Sequence, residues 1–242
     1  MSKTLAQINV DLNTQLSPGG KRLDESPSVS EFTLLRDVIQ CLNSDDKVVL
    51  NSLKIGDDTN YSEFDSSGVL TMFGNARVYK QKWVPFNALK APGTKPATFK
   101  EWGISGVWEF SDATDDTIVC DIPIPLDMDR TTIPVIRLGW STNTAVITET
   151  SVWQLEYLYR ALGEDTTAAA QDTLTVNSNA DAQANGFNIA AFPGADLIDD
   201  DDICMKCRIK RLGADPADDL TDTAELHGVC FMYISNKLGE PL

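Results

Sequence analysis

The strongest constraint on the fold of this 242-residue chain is a strict alternation of apolar and polar side chains. Along residues 151–161 the side chains at positions 153, 155, 157 and 159 are large and apolar, and a similar alternation recurs along residues 203–212. Successive side chains of an extended strand point to opposite faces, so each segment predicts a strand with one buried face. The predicted buried faces are Trp153, Leu155, Tyr157 and Tyr159 in the first strand and Ile203, Met205, Cys207 and Ile209 in the second.

Further segments of strand character follow residue 85, joined by loops of uneven length. Segments 117–124, 133–140 and 224–234 are rich in β-branched and aromatic residues, and segments 107–110, 173–176 and 188–191 are weaker candidates. Regular helices between the strands are missing from the pattern, which argues against a parallel α/β sheet. The sequence therefore predicts a mainly β chain whose residues 85–242 form an antiparallel β-sandwich of jelly-roll type.

Residues 47–84 read as a β connector. Their short apolar clusters are separated by turn pairs such as Gly56-Asp57 and Gly74-Asn75. Strands this short cannot bury a core within one chain, and an identical chain is the simplest neighbour to cover them. The connector is therefore predicted to associate with copies of itself.

Residues 1–46 are predicted to form an arm with two short helices. Leu5, Ile8 and Leu12 recur at helical spacing, and a capping box at Ser28 and Glu31 opens a second helix. The apolar face of that second helix is predicted to contain Phe32, Leu35, Val38, Ile39 and Leu42. Helices this short are marginal alone, so they pack on the chain's own β region or dock on something outside it.

The charge balance and the cysteines limit partners and location. A net charge of -16 and a pI near 4.3 disfavour binding to nucleic acid or to an anionic membrane. Without an apolar run at the N-terminus or a spanning segment, assembly in a cytoplasm is expected. Cys204 and Cys207 lie three apart on a predicted strand and so face opposite sides, which favours reduced cysteines over a zinc site.

Catalytic machinery is sparse in this sequence. His227 is the only histidine and lies mid-strand, and the motifs typical of hydrolase nucleophiles or phosphate-binding loops do not occur. Acidic clusters such as 199–202 could serve a glycan hydrolase, or bind calcium in the case of Asp199 to Asp202, but a solvated loop is the favoured interpretation. The expectation is a protein without enzymatic activity and without a cofactor or metal.

Three aromatic residues suggest a surface for sugar stacking. Trp83 and Phe86 flank Val84-Pro85, and Trp102 lies in a stretch, 100–103, that reads as irregular. Packing between subunits explains the same residues equally well, and both interpretations stay open.

The connector also carries a family resemblance. The motifs that carry it are Ile55-Gly56-Asp57-Asp58-Thr59-Asn60-Tyr61, Phe64, Gly68-Val69-Leu70 and Gly74-Asn75-Ala76-Arg77-Val78-Tyr79, followed by strand motifs at 107–110, 117–123, 135–140, 152–157 and 197–211. Their order resembles virion proteins of tailed bacteriophages, in which such a connector links an N-terminal attachment segment to a C-terminal jelly roll. The helix at 32–44 is similar to the attachment helix that precedes such fibres.

The resemblance implies a non-enzymatic, homotrimeric virion component, assembled in the host cytoplasm as a capsid- or tail-attached fibre or decoration protein. Major capsid or tail proteins would be its docking partners, and the alternative function is a tail protein that binds glycans of the host surface. The implied trimer interface comprises Ile55, Tyr61, Phe64, Leu70, Phe73 and Val78. The implied particle-attachment residues are Leu5, Ile8, Leu12, Phe32, Leu35, Val38, Ile39 and Leu42.

Overall fold

The computed structural model describes residues 52–65, 69–144 and 148–236. Contacts divide the chain into two units, Met1–Leu53 and Lys54–Leu242. Apart from Ser52 and Leu53, the β architecture described below belongs to the second unit. The predicted arm helices and all the predicted attachment residues lie outside the described residues.

Thirteen strands, numbered in chain order, run through the described ranges and form three antiparallel sheets. A small sheet has the order β1 (Ser52–Gly56), β2 (Tyr61–Asp65), β3 (Leu70–Met72). A four-stranded sheet has the order β10 (Asp172–Asn179), β9 (Thr150–Ala161), β12 (Asp202–Arg211), β7 (Thr117–Pro123). A six-stranded sheet has the order β11 (Asn188–Ala191), β8 (Val135–Ser141), β13 (Ala224–Ser235), β6 (Ser105–Phe110), β5 (Thr98–Trp102), and β4 (Val78–Pro85) also pairs with β13.

The four- and six-stranded sheets share one hydrophobic core. Trp153 of the first sheet contacts Phe110 and Trp140 of the second, with ring centroids 5.1 and 6.0 Å apart. These three side chains are fully buried. The alternation read from the sequence positions them, because every second residue of these strands points inward. The predicted antiparallel β-sandwich of jelly-roll type is confirmed.

Three details differ from the sequence-based prediction. Ile203 is 51% exposed instead of buried, because a bulge between Asp202 and Cys204 shifts the register at the start of β12. The stretch 100–103, expected to be irregular, belongs largely to β5, which pairs with β6. Strand β4, assigned to the connector, lies in the six-stranded sheet because its residues 78–85 pair with β13 over their whole length.

The small connector sheet and the segment that follows it contact the sandwich through main-chain and ionic interactions. The backbone of Met72 donates to the carbonyl of Asn236, and Arg77 forms an ion pair with Asp129 at 2.7 Å. Asp57 accepts hydrogen bonds from the backbone of Asn60 and Thr59, which lowers the pKa of this exposed carboxyl. The turn before β2 is thereby fixed.

No helix among the described residues is both long enough and apolar enough to cross a membrane.

A buried ion pair joins the two sheets. Arg211, at the end of β12, is fully buried and donates to both carboxylate oxygens of Asp218, at 3.0 and 2.7 Å. Its guanidinium also donates to the carbonyls of Phe110, Leu220 and Asp222. Asp218 in turn accepts the backbone N–H of Val152 on β9. All five donors of the arginine are thus used without solvent.

Removing one partner of the Arg211–Asp218 pair should destabilise the fold. We expect Asp218→Ala to lower the free energy of unfolding by about 3–5 kcal/mol, because the Arg211 charge would remain buried without its counter-ion. Chemical denaturation with fluorescence detection of the core tryptophans measures the change. Asp121→Ala is the matched control, since Asp121 is 68% exposed and 3.6 Å from Lys206, and should cost less than about 1 kcal/mol. Equal effects of the two variants would contradict this role for Asp218.

Candidate functional site

A row of aromatic rings crosses the outer face of the six-stranded sheet. His227 lies between Trp102 and Phe187, with ring centroids 6.5 Å and 5.4 Å away. Trp83 of β4 lies beside Phe187, above the strands β8 and β13. These four residues, Trp102, His227, Phe187 and Trp83, are called the aromatic row below. Trp83 and Phe187 are 43% and 55% exposed, so their rings are accessible to a ligand.

Two glycines make room for the row. Gly139 of β8 and Gly228 of β13 are directly opposite each other in the sheet. A Cβ at Gly139 would lie 2.3 Å from the ring of Phe187, and a Cβ at Gly228 would lie 2.6 Å from the ring of Trp83. Any larger residue at either position would therefore displace a ring of the row.

Polar groups surround the row on the same face. The hydroxyl of Ser141 is 2.9 Å from Nε2 of His227 and 3.5 Å from Oε2 of Glu225. Lys100 pairs with Glu109 at 2.5 Å and lies 3.9 Å from Oε1 of Glu225. The Lys100 ammonium is also 5.0 Å from the ring centroid of Trp102, so it contributes a cation–π contact.

Burial shifts the titration of two groups beneath the row. Glu225 is fully buried and its Oε1 lacks a hydrogen-bond donor, and this burial raises the pKa of its carboxyl to about 7 despite the nearby charge of Lys100. Burial likewise lowers the pKa of His227. Both groups therefore favour their neutral forms in the folded protein.

The Ser141, His227 and Glu225 cluster is not arranged for nucleophilic catalysis. In a hydrolytic triad the histidine lies between the nucleophile and the acid. Here Ser141 lies between His227 and Glu225, and Ser141 is 1% exposed. The cluster can instead fix the orientation of the imidazole within the row.

The structure brings two of the three predicted glycan contacts together. Trp83 and Trp102 both belong to the outer face that carries the row. Phe86 does not, because it stacks on Phe99 at 6.0 Å and its carbonyl accepts the indole N–H of Trp108. Contact of any of the three with glycan remains a prediction.

Sequence reasoning missed Phe187 and gave His227 no role in binding. Phe187 directly precedes strand Asn188–Ala191, and its contact with Gly139 depends on the pairing of that strand with β8. A cross-strand pairing cannot be read from local periodicity. Gly139 and Gly228, each within a predicted strand, were the local signs that another group approaches the backbone closely here.

The predicted trimer-interface residues lie mostly on the connector surface. Four of them are exposed apolar side chains, while Tyr61 and Leu70 are half-buried and Tyr61 stacks on Phe73 at 4.3 Å. The exposed four are Ile55, Phe64, Phe73 and Val78. Their part in a trimer remains a prediction.

The acidic run proposed as a possible calcium site forms a turn held by protein groups. Asp202 accepts the backbone N–H of Asp199 at 3.0 Å, and Arg130 donates to the carbonyls of both residues. Within ranges 52–65, 69–144 and 148–236, no group of three or more His, Cys, Asp or Glu side chains is placed to hold a metal ion.

No protein-family model matches the chain, and no curated protein does. Among solved structures, it is similar to a family 35 carbohydrate-binding module from Cellvibrio japonicus, with 10% identity, a TM-score of 0.38, and 68% of this chain and 98% of that chain covered. It is also similar to a family 11 carbohydrate-binding module from Clostridium thermocellum, with 11% identity, a TM-score of 0.29, and coverage of 78% and 92%.

A third similar structure is an exo-β-1,3-galactanase from Phanerochaete chrysosporium, with 7% identity and a TM-score of 0.39. That alignment covers 72% of this chain and 33% of the galactanase. Similarities this low leave ligand and activity to be argued from the residues of the site.

Replacing Glu225 should change how stability depends on pH. Because the folded-state pKa of about 7 exceeds the ordinary value of 4.5, the stabilising contribution of the protonated form is lost as pH rises through this window. We expect Glu225→Gln to gain stability over the wild type by roughly 1–3 kcal/mol between pH 4.5 and pH 8. Denaturant titrations at both pH values measure this difference, with the exposed Glu101→Gln as control. An advantage of Glu225→Gln that is equal at both pH values would contradict the shifted pKa.

Proposed function

We propose that the sandwich is a non-catalytic glycan-binding domain whose ligand stacks on the aromatic row. The observation that supports this proposal is the row itself: Trp83, Trp102 and His227 lie on strands, and the rings of Trp83 and Phe187 are exposed. Binding sites placed on strands hold their geometry better than sites on loops. The inaccessible Ser141 and the order of its polar partners support binding without turnover.

The chemistry of the face suits a sugar. A pyranose ring presents apolar C–H groups on its faces and hydroxyls around its edge. Trp83 and Phe187 offer exposed apolar surface for the faces, and the indole N–H groups and Lys100 offer donors for the hydroxyls. Ligand sites in proteins commonly combine such aromatic walls with a few polar groups.

Removing one ring should weaken binding. We expect Trp83→Ala to lower the affinity for glycans that the wild type binds on an array by about tenfold, because a stacking surface is lost. Tyr79→Ala is the control, since Tyr79 is an exposed aromatic residue on the same strand and the same face, four residues away. Calorimetry with the array hits gives the affinities. Wild-type binding to no host-surface glycan, or equal losses in both variants, would refute the assignment.

We further propose that the chain is a homotrimeric component of a tailed-phage virion, anchored by residues 1–46 with the sandwich projecting outward. The family resemblance supports the virion role, and the exposed apolar side chains of the connector support self-association. In this arrangement three glycan-binding faces would act together, which increases avidity without new contacts. Attachment to the capsid and attachment to the tail are both compatible with this proposal.

Charge introduced on the connector should disrupt the trimer. We expect the wild type to have the mass of a trimer at micromolar concentration and Phe64→Asp to shift it to the monomer, because a carboxylate would be buried at the subunit contact. Light scattering coupled to size-exclusion chromatography measures the mass. Leu126→Asp, at a 66% exposed position of the sandwich, should stay trimeric. A wild-type monomer at this concentration would contradict the proposal.

A further inference from the structure

A groove of about 540 Å³ lies on the outer face of the four-stranded sheet. The aromatic row lies on the six-stranded sheet, on the opposite side of the sandwich. Strands β7, β12 and β9 form the floor of the groove, and the loops around residues 88–90 and 166–170 form its walls. Its position makes it independent of the glycan-binding face proposed above.

One cross-strand row organises the charges of this groove. Lys90 and Val119 exchange backbone hydrogen bonds of 2.9 and 2.8 Å, Val119 is opposite Arg208, and Arg208 is opposite Glu156. Directly opposite residues of a sheet share a face, so all four side chains point toward the groove. Neighbouring strands are about 4.8 Å apart, which places Lys90 and Arg208 about 10 Å apart across Val119. Their long side chains can therefore converge on one anion above Val119.

The groove carries an excess of positive charge in a strongly acidic protein. Glu156 accepts from both Arg208, at 2.9 Å, and Lys210. Burial tends to raise the pKa of Glu156, but the hydrogen bonds and charges of these two cations lower it overall, so Glu156 is ionised at neutral pH. Arg208 can turn to a ligand while Lys210 still neutralises Glu156.

Lys90 is the second available cation. It is exposed and forms no ion pair within the part of the chain that the structure describes. The remaining pair in the groove, Lys206 with Asp121 at 3.6 Å, is neutral overall. Among the described residues around the groove, Lys90, Lys206, Arg208 and Lys210 together face only two carboxylates, those of Asp121 and Glu156. In a chain with a net charge of -16, this local excess of cations marks a place for an anionic group.

The rest of the lining favours a saccharide as the carrier of that group. The hydroxyls of Thr166 and Thr167 and the Lys206–Asp121 pair supply donors and acceptors that match sugar hydroxyls. Leu158 and Val119 supply a small apolar patch on the floor. The one ring in the lining, that of Tyr157, is 1% exposed and points into the core, so binding here depends on charge and hydrogen bonds instead of stacking.

We propose that this groove is a second ligand site, which binds a saccharide bearing a carboxylate, with Lys90 and Arg208 holding the carboxylate. Uronic acids and sialic acids both present this chemistry. The planar fork of arginine suits a carboxylate, and Lys90 adds a point charge from the opposite side.

Matched pairs of sugars test the proposal on the full chain. We expect sialyllactose or cellobiouronate, measured by calorimetry, to bind at least about tenfold more tightly than lactose or cellobiose respectively, and which acidic sugar binds identifies the source of the carboxylate. Lys90→Ala and Arg208→Gln should each lower that affinity about tenfold, whereas Lys95→Ala, an exposed lysine paired with Asp115 outside the groove, should not. Affinity should also fall at about 0.5 M salt, because exposed charges are screened.

The outcomes separate this site from the aromatic row. Trp83→Ala should leave binding of the acidic sugar unchanged, so loss of binding in that variant would place the sugar on the other face and overturn the proposal. Equal affinity for acidic and neutral sugars, no binding of either acid, or tight binding of poly-glutamate with no binding of the acidic sugars would also overturn it. Melting curves of the lysine and arginine variants verify that they fold.

Discussion

The buried Arg211–Asp218 pair is the constraint on which the two faces of the sandwich depend. Arg211 ends β12 in one sheet and donates to the carbonyl of Phe110, which ends β6 in the other. Asp218 accepts from the backbone of Val152 as well as from the guanidinium. The pair therefore fixes the ends of strands from both sheets and the loop between them at one point. A buried pair is not in itself a large source of stability, but each partner is indispensable once the other is present.

Fixing the sheets fixes what each outer face presents. The core takes every second side chain of each strand, so the remaining side chains are committed to the two outer faces. On the six-stranded sheet these are rings above Gly139 and Gly228, and on the four-stranded sheet they are the cations of β12 with their acids. One sandwich thus presents two surfaces of different chemistry, one dominated by aromatic rings and one by ion pairs.

The strands were predictable because alternation is a local signal, and the register that builds the sites was not. Trp83 and Trp102 could be suspected as single exposed aromatics, but their grouping with His227 and Phe187 depends on pairings between strands far apart in sequence. Ile203 shows the same limit inside one strand. The alternation predicted that the side chain of Ile203 points into the core, but the bulge between Asp202 and Cys204 turns that side chain outward.

The negative charge of the chain is unevenly distributed over its surface. A net charge of -16 first indicates solubility and repulsion of polyanions. The strand β12 nevertheless presents Lys206, Arg208 and Lys210 on one face, and the carboxylate of Glu156 is shared between two of them. The net negative charge of the chain repels large anions, whereas the cations of the groove attract an anion that comes close to them. Because charges more than about 10 Å away are screened at moderate salt, a small anion interacts mainly with the groove. A single carboxylate on a sugar meets that condition, whereas a nucleic acid, with its repeated charges, does not.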